Sequence, residues 1–107
     1  MRLDPLESTI QSSICDYLAI KRYFFYRVNN IPPYDSVRKT FRSMPKNSRL
    51  GVADIFLLHK GVPYFIEVKT RKGKMSDHQK SFEQDVIANG GVFILARDIE
   101  DVRKAGL

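Results

Sequence analysis

The stretch GVADIFLLHKGVPYFIEVK (51–69) decides how this chain is read. Two runs of strand-forming residues, about 53–59 and 62–69, flank a Lys60-Gly61 turn, so the segment predicts a β-hairpin. Both runs are apolar on both faces, as in strands buried from either side. Yet they carry Asp54, Glu67 and Lys69 near their far ends, and ionisable groups are rarely buried without a partner or a metal. If the turn centres on Lys60-Gly61, His59 faces Val62 and paired positions sum to 121, which sets Asp54 opposite Glu67. Directly opposed residues share a face with Cβ atoms about 5 Å apart, and Lys69, two residues beyond Glu67, shares that face too. Two carboxylates and an ammonium therefore converge at one end of a sheet.

Around the hairpin the chain alternates helices and strands. DPLESTIQSSICDYLAI (4–20) reads as a helix with Asp4 as N-cap, Pro5 at its first position, and an apolar stripe through Leu6, Ile10, Ile14, Tyr17 and Leu18. YFFYRV (23–28) is rich in strand formers, and its aromatics read as core rather than as a base-stacking platform. Residues 30–50 form a long basic loop with three prolines and no clear period, the kind of loop that in a compact domain is functional or disordered. SDHQKSFEQDVIAN (76–89) is a second helix with Ser76 as N-cap, and VFILAR (92–97) a fourth, buried strand. Residues 98–107 form a short terminal helix or tail. The expected fold is a single α/β domain over 1–107, in the order α-β-β-β-α-β. Its four strands make one central mixed sheet flanked by helices, in which a right-handed crossover through the second helix makes the third and fourth strands parallel.

Composition narrows the function classes. With 107 residues the chain has one modest core, and its 43% hydrophobic and 28% charged residues are ordinary for a soluble globular protein. No run approaches the roughly 20 apolar residues of a membrane span, and the first residues lack a signal-peptide core. A single cysteine, Cys15, excludes an internal disulfide framework and a cysteine-based zinc site, and suits a cytoplasmic protein. The net charge of +6 is unevenly distributed: Lys21 to Arg49 holds eight Lys/Arg against one acid, Asp35, and Lys69, Arg71, Lys72 and Lys74 follow the hairpin. Such clustering fits a polyanion, or else a solvated basic surface.

Two adjacent carboxylates repel unless paired, and a hard divalent cation such as Mg²⁺ or Mn²⁺ relieves this while keeping waters of its own. Such an ion can bind a phosphate oxygen and acidify a bound water, and a lysine beside it can stabilise charge developing on phosphorus. The assembly suits phosphodiester hydrolysis. The plainer reading is a charge cluster at a solvated sheet end, with Lys69 neutralising one carboxylate.

GVAD (51–54), a hairpin, and IEVK (66–69) together resemble the PD-(D/E)XK nuclease superfamily. The early helix carrying Glu7 and the DHQK helix are similar specifically to its virus-type replication-repair nuclease (VRR-NUC) branch, with the likeness running from Glu7 to about Arg97. Ala53 departs from the proline that often precedes the family's Asp, a position that carries no ligand. The resemblance implies that Asp54, Glu67 and the Val68 carbonyl ligate Mg²⁺ or Mn²⁺, with no other cofactor, that Lys69 is the catalytic lysine, that Glu7 completes the acidic cluster, and that Gln79 approaches it. For the last two the residues leave a second reading open. Asp4/Glu7 and Ser76/Gln79 both have capping-box spacing, while Glu7 also continues the stripe through Ile10, Ile14 and Tyr17, and Gln79 that through Phe82 and Val86. His78 reads as a solvated helix-start residue and His59 as a surface one. Tyr34, Arg38, Lys39, Arg42, Lys46 and Arg49 in the loop, with Arg71, Lys72 and Lys74, are the candidates for tracking a nucleic-acid backbone.

The expected activity is a structure-specific DNA endonuclease. Stand-alone members of the family resemble Holliday-junction resolvases, which implies a symmetric homodimer acting on branched, four-way DNA, and the family's viral distribution implies a phage or prophage origin. The alternatives are a flap-cleaving or non-specific nuclease of the same fold, a catalytically silent DNA-binding module, and a small protein-interaction domain with an incidental basic face.

Overall fold

The computed structural model describes residues 4–28, 34–41 and 45–107, with only the backbone of Tyr34 and Phe41. Its elements run α1 (Glu7–Ile20), β1 (Phe24–Arg27), β2 (Tyr34–Asp35), β3 (Thr40–Phe41), β4 (Ile55–His59), β5 (Val62–Val68), α2 (Asp77–Ala88), β6 (Val92–Ala96) and α3 (Ile99–Lys104). A mixed four-stranded sheet in the order β1-β4-β5-β6 organises them.

The hairpin forms with the expected register: Ile55 lies opposite Ile66 and His59 opposite Val62. Its two-residue loop puts both Lys60 (φ 51°) and Gly61 (φ 79°) in the left-handed region, the conformation whose twist matches the flanking strands. The β5–α2–β6 crossover makes β5 and β6 parallel, with Glu67 beside Leu95 and Val68 beside Ala96.

One face of the sheet presents Ile55, Leu57, Ile66, Val68, Ile94 and Ala96 to Ile10, Ile14 and Leu18 of α1 and Val102 of α3, forming the main core. This layer also holds the chain's last residue, since the Leu107 carbonyl accepts hydrogen bonds from the hydroxyls of Tyr17 (3.0 Å) and Tyr23 (2.8 Å). On the opposite face α2 lays Phe82 and Val86 over Ala53, Phe65 and Phe93 in a smaller core. Phe56 extends that cluster edge-on from Phe65 at 5.3 Å between centroids. Among the described residues no helix is long and apolar enough to cross a membrane.

Three expectations are corrected, and one that was left open is resolved. The first helix begins at Glu7: Leu6 holds the N-cap position with extended backbone (ψ 152°) and no side-chain cap forms. Asp4 instead reaches Arg71 at 3.5 Å, so the Asp4/Glu7 capping box is absent and Leu6 is exposed rather than part of the stripe. The loop at 30–50 contains a two-stranded ribbon, β2 pairing with β3, whose turn is held by the Asp35 carboxylate accepting from the backbone N–H groups of Val37 and Arg38. This Asx-type turn carries its signal in one aspartate, too local for a periodicity argument to register. Of the two readings of 98–107 the short helix forms, as α3 over Ile99–Lys104, capped by Asp98 accepting from Asp101 N–H, so the element order gains a ribbon and a third helix. Finally, β1 is an edge strand, and Phe24 and Tyr26 lie on solvent rather than in the core.

Candidate active site

The end of the sheet opposite the β4–β5 turn gathers Asp54, Glu67, Lys69 and Gln79. Asp54 stands just before β4, where its carboxylate accepts from the backbone N–H of Val68 at 2.8 Å. That bond locks the aspartate across the hairpin, on the line of the register. Glu67 lies in β5 with only 1% of its surface exposed and is the sole buried charged residue among those described. Its Oε1 accepts from the Gln79 side-chain amide at 2.9 Å and lies 3.7 Å from the Lys69 ammonium. Its Oε2 is buried with no hydrogen-bond partner. Were Glu67 ionised, that oxygen would cost desolvation energy with no donor to offset it. The carboxyl responds by holding its proton, which lets it hydrogen-bond to the Asp54 carboxylate: burial, and then the negative charge of Asp54, push Glu67 up to about 8, Lys69 pulls in the opposite direction, and the bond with Asp54 and the charge of Glu7 add smaller upward pushes.

Gln79 resolves its two readings by satisfying both. Its side-chain oxygen accepts from Ser76 N–H (2.9 Å) while its backbone N–H donates to Ser76 Oγ (3.2 Å), a complete capping box. The amide nitrogen on the same side chain is thereby turned toward Glu67. Glu7 does not join as closely. It is exposed at the first position of α1, and its charge reaches Glu67 through space rather than by contact. Among the described residues no group of three or more His, Cys, Asp and Glu side chains converges to hold a metal. What converges is two carboxyl groups with the Val68 peptide between Glu67 and Lys69, and a Glu67 oxygen that no donor reaches when the group is ionised. This donor set fits a hard cation that completes its shell with water or phosphate oxygen.

Two residues that sequence reasoning passed over hold this geometry. Gly51 has φ +78°, and a Cβ there would lie 2.4 Å from the carbonyl carbon of His78 and 2.7 Å from the Gln79 nitrogen. The start of α2 therefore rests directly on a backbone that only glycine supplies. The signal was in plain view as the first letter of GVAD. Arg97, just after β6, donates from its guanidinium to the carbonyl oxygens of Thr70, Arg71 (3.0 Å) and Gly73 (2.8 Å), clasping the loop that follows Lys69. Nothing in its local sequence marked it.

The basic candidates separate. Lys39, Lys46, Lys72 and Lys74 are exposed. Arg38 is exposed in the ribbon turn with Asp35 at 3.9 Å, and Arg71 is paired to Asp4. Arg49 is committed to α2, bonded to Asp85 at 2.6 Å and stacked over Phe82 at 5.4 Å, which makes it a structural tie. Arg42 lies outside the described residues. His78 is exposed at the helix start, whereas His59 is half-buried edge-on to Tyr23 at 4.9 Å. No known protein-family model and no curated protein matches the chain.

Proposed function

We propose that this chain is a metal-dependent, structure-specific DNA endonuclease with a PD-(D/E)XK-like fold, similar to the VRR-NUC branch and acting as a symmetric homodimer on four-way junctions. The observation that carries the reading is the buried Glu67 carboxyl, beside Asp54 and Lys69, with one oxygen that no donor reaches once the carboxyl is ionised. A solvated charge cluster would leave these groups in water, where no oxygen is orphaned. Asp54, Glu67 and the Val68 carbonyl are the groups that would hold Mg²⁺ or Mn²⁺. When bound, the ion supplies Lewis acidity toward the phosphate and compensates the two carboxylates.

The protein's own residues supply position. The Val68 N–H fixes Asp54, and the Gln79 amide fixes Glu67 from the capped start of α2. Lys69, with a side chain only 13% exposed, holds its ammonium at the same sheet end, where it stabilises negative charge developing on a scissile phosphate. The exposed lysines of the 30–50 segment and the 71–74 loop contact backbone phosphates beyond the site. Recognition through phosphates reads shape rather than base sequence, as a junction-directed enzyme requires.

The test is a panel of labelled four-way-junction, flap and duplex DNAs with Mg²⁺ or Mn²⁺. Wild type is expected to cut the junction fastest, with EDTA abolishing cleavage, and Glu67→Ala and Lys69→Ala losing at least about 100-fold in rate. Glu67→Ala should still bind DNA. Cleavage that persists in EDTA removes the mechanism, and salt-sensitive binding without cleavage of any substrate identifies a silent binding module instead. Faster cutting of flaps, or a monomeric mass in solution, removes the junction-resolving dimer.

A further inference from the structure

The sheet face that carries Asp54, Glu67 and Lys69 continues past the edge of α2 onto β4 and β1, where no helix among the described residues covers it. In register across those strands, Tyr26 pairs with Phe56 and Phe24 with Leu58. Phe24 is 66% exposed, Tyr26 53% and Leu58 41%. The rings of Tyr26 and Phe56 lie 5.3 Å apart, and Phe56 leans in turn on Phe65, which anchors the outer rings to the smaller core. Phe56 is two residues along the chain from Asp54 and Leu58 two further, so the platform begins about 7 Å from the acidic site and runs away from it in steps of the same length.

We propose that this face is a platform on which unpaired bases of a single-stranded nucleic-acid segment stack while the adjoining phosphate lies at Asp54, Glu67 and Lys69. Charge and area select this occupant. No acidic residue occurs between Asp16 and Asp35 or between Asp54 and Glu67, so both platform strands and their turns are acid-free, while exposed Arg22 and Lys60 stand at the end remote from the site. Solvent-facing rings flanked by cations are the combination that binds single strands, the rings taking base faces and the cations the phosphates. A second copy of the chain, itself at +6, would bring more positive charge to the same face. The exposed parts of these side chains amount to about 300–400 Å², around half of what each partner gives to a stable complex. The platform rests on the nuclease reading and deepens it, in that it places bases unpaired at the branch point beside the cut.

The experiment separates the two readings by measuring binding in EDTA, where no cleavage occurs. Labelled oligothymidine and an abasic oligonucleotide of equal length are titrated against wild type, the double variant Phe24→Ala/Tyr26→Ala, and Tyr26→Phe, with thermal melting to verify folding. Wild type should prefer oligothymidine, the double variant should lose about 10-fold or more on it while binding the abasic strand as wild type does, and Tyr26→Phe should retain wild-type affinity. Unchanged oligothymidine affinity in the double variant, or equal wild-type affinity for the two strands, overturns the platform. A wild-type dimer that the double variant converts to monomer also overturns it, by making this face a self-interface. Failure of the nuclease reading shows instead in the cleavage panel, as activity indifferent to EDTA or to Lys69→Ala.

Discussion

Two helix starts carry the same spacing signal and come out differently. Asp4 and Glu7 stand at the start of α1 with the spacing that Ser76 and Gln79 have at the start of α2, yet only the second pair closes a capping box. The difference lies in what each start meets. Gly51 lets the backbone at His78 and Gln79 press directly on the segment leading into β4, and Glu67 offers a buried oxygen for the Gln79 amide. Among the described residues the α1 start meets no such surface. Asp4 turns to Arg71, Leu6 takes the cap position without a side-chain bond, and Glu7 stays on solvent. A capping box is worth about 1 kcal/mol locally, and the tertiary partner decides whether it forms.

The strongest way to break this contrast is Gly51→Ala. The new Cβ would strike the His78 carbonyl, and alanine is strained at a φ of +78°. The helix start must move, so Gln79 should lose Glu67, and the protein should lose at least about 2 kcal/mol in urea denaturation. An α2 start that tolerates the methyl would show unchanged stability and would remove the claim that this contact sets the site.

The second test reads the buried carboxyl beneath α2 by pH, in chelator. Glu67 in the folded protein titrates at about 8 against an ordinary 4.5. Below the ordinary value both states hold the proton and the contribution is level. Between the two values the unfolded chain releases a proton that the folded chain keeps, so stability falls as pH rises and levels off again above about 8. Wild type should therefore lose up to a few kcal/mol relative to Glu67→Gln between pH 5 and 8, followed by denaturation at several pH values. Parallel pH profiles for the two proteins would mean that Glu67 is ionised in the folded state without a cation.

The smallest effects sharpen the contrast itself. Ser76→Ala should cost about 1 kcal/mol, whereas Asp4→Ala, which breaks only an exposed ion pair, should cost under about 0.5 kcal/mol by thermal melting. Equal costs would show that Asp4 does cap α1 in solution.

Much of the site was legible because it obeys counting rules. The turn at Lys60-Gly61 and the period of two along a strand bring Asp54 to Glu67 and Lys69 to the same face, and the observed register has the same sum. The α/β character and the parallel β5–β6 pair followed from strand, helix and strand in succession. What escaped depended on neighbours remote in sequence. YFFY (23–26) is as apolar as a core strand, but β1 became the sheet edge and α2 settled over β5 and β6, which left Phe24 and Tyr26 on solvent. Arg97 acquired its role only because the chain from Thr70 to Gly73 passes beside it.

The sequence by itself determined the hairpin, its register and therefore the grouping of Asp54, Glu67 and Lys69, because side-chain alternation and turn geometry act within some twenty residues. Tertiary structure alone decided that Glu67 is buried with an oxygen that no donor reaches once it is ionised, that Gln79 reaches it while capping α2, and that Glu7 remains at a distance. Burial and hydrogen bonding are set by which element covers which face. That is a competition among packing surfaces brought together from across the whole chain, and no local pattern records it.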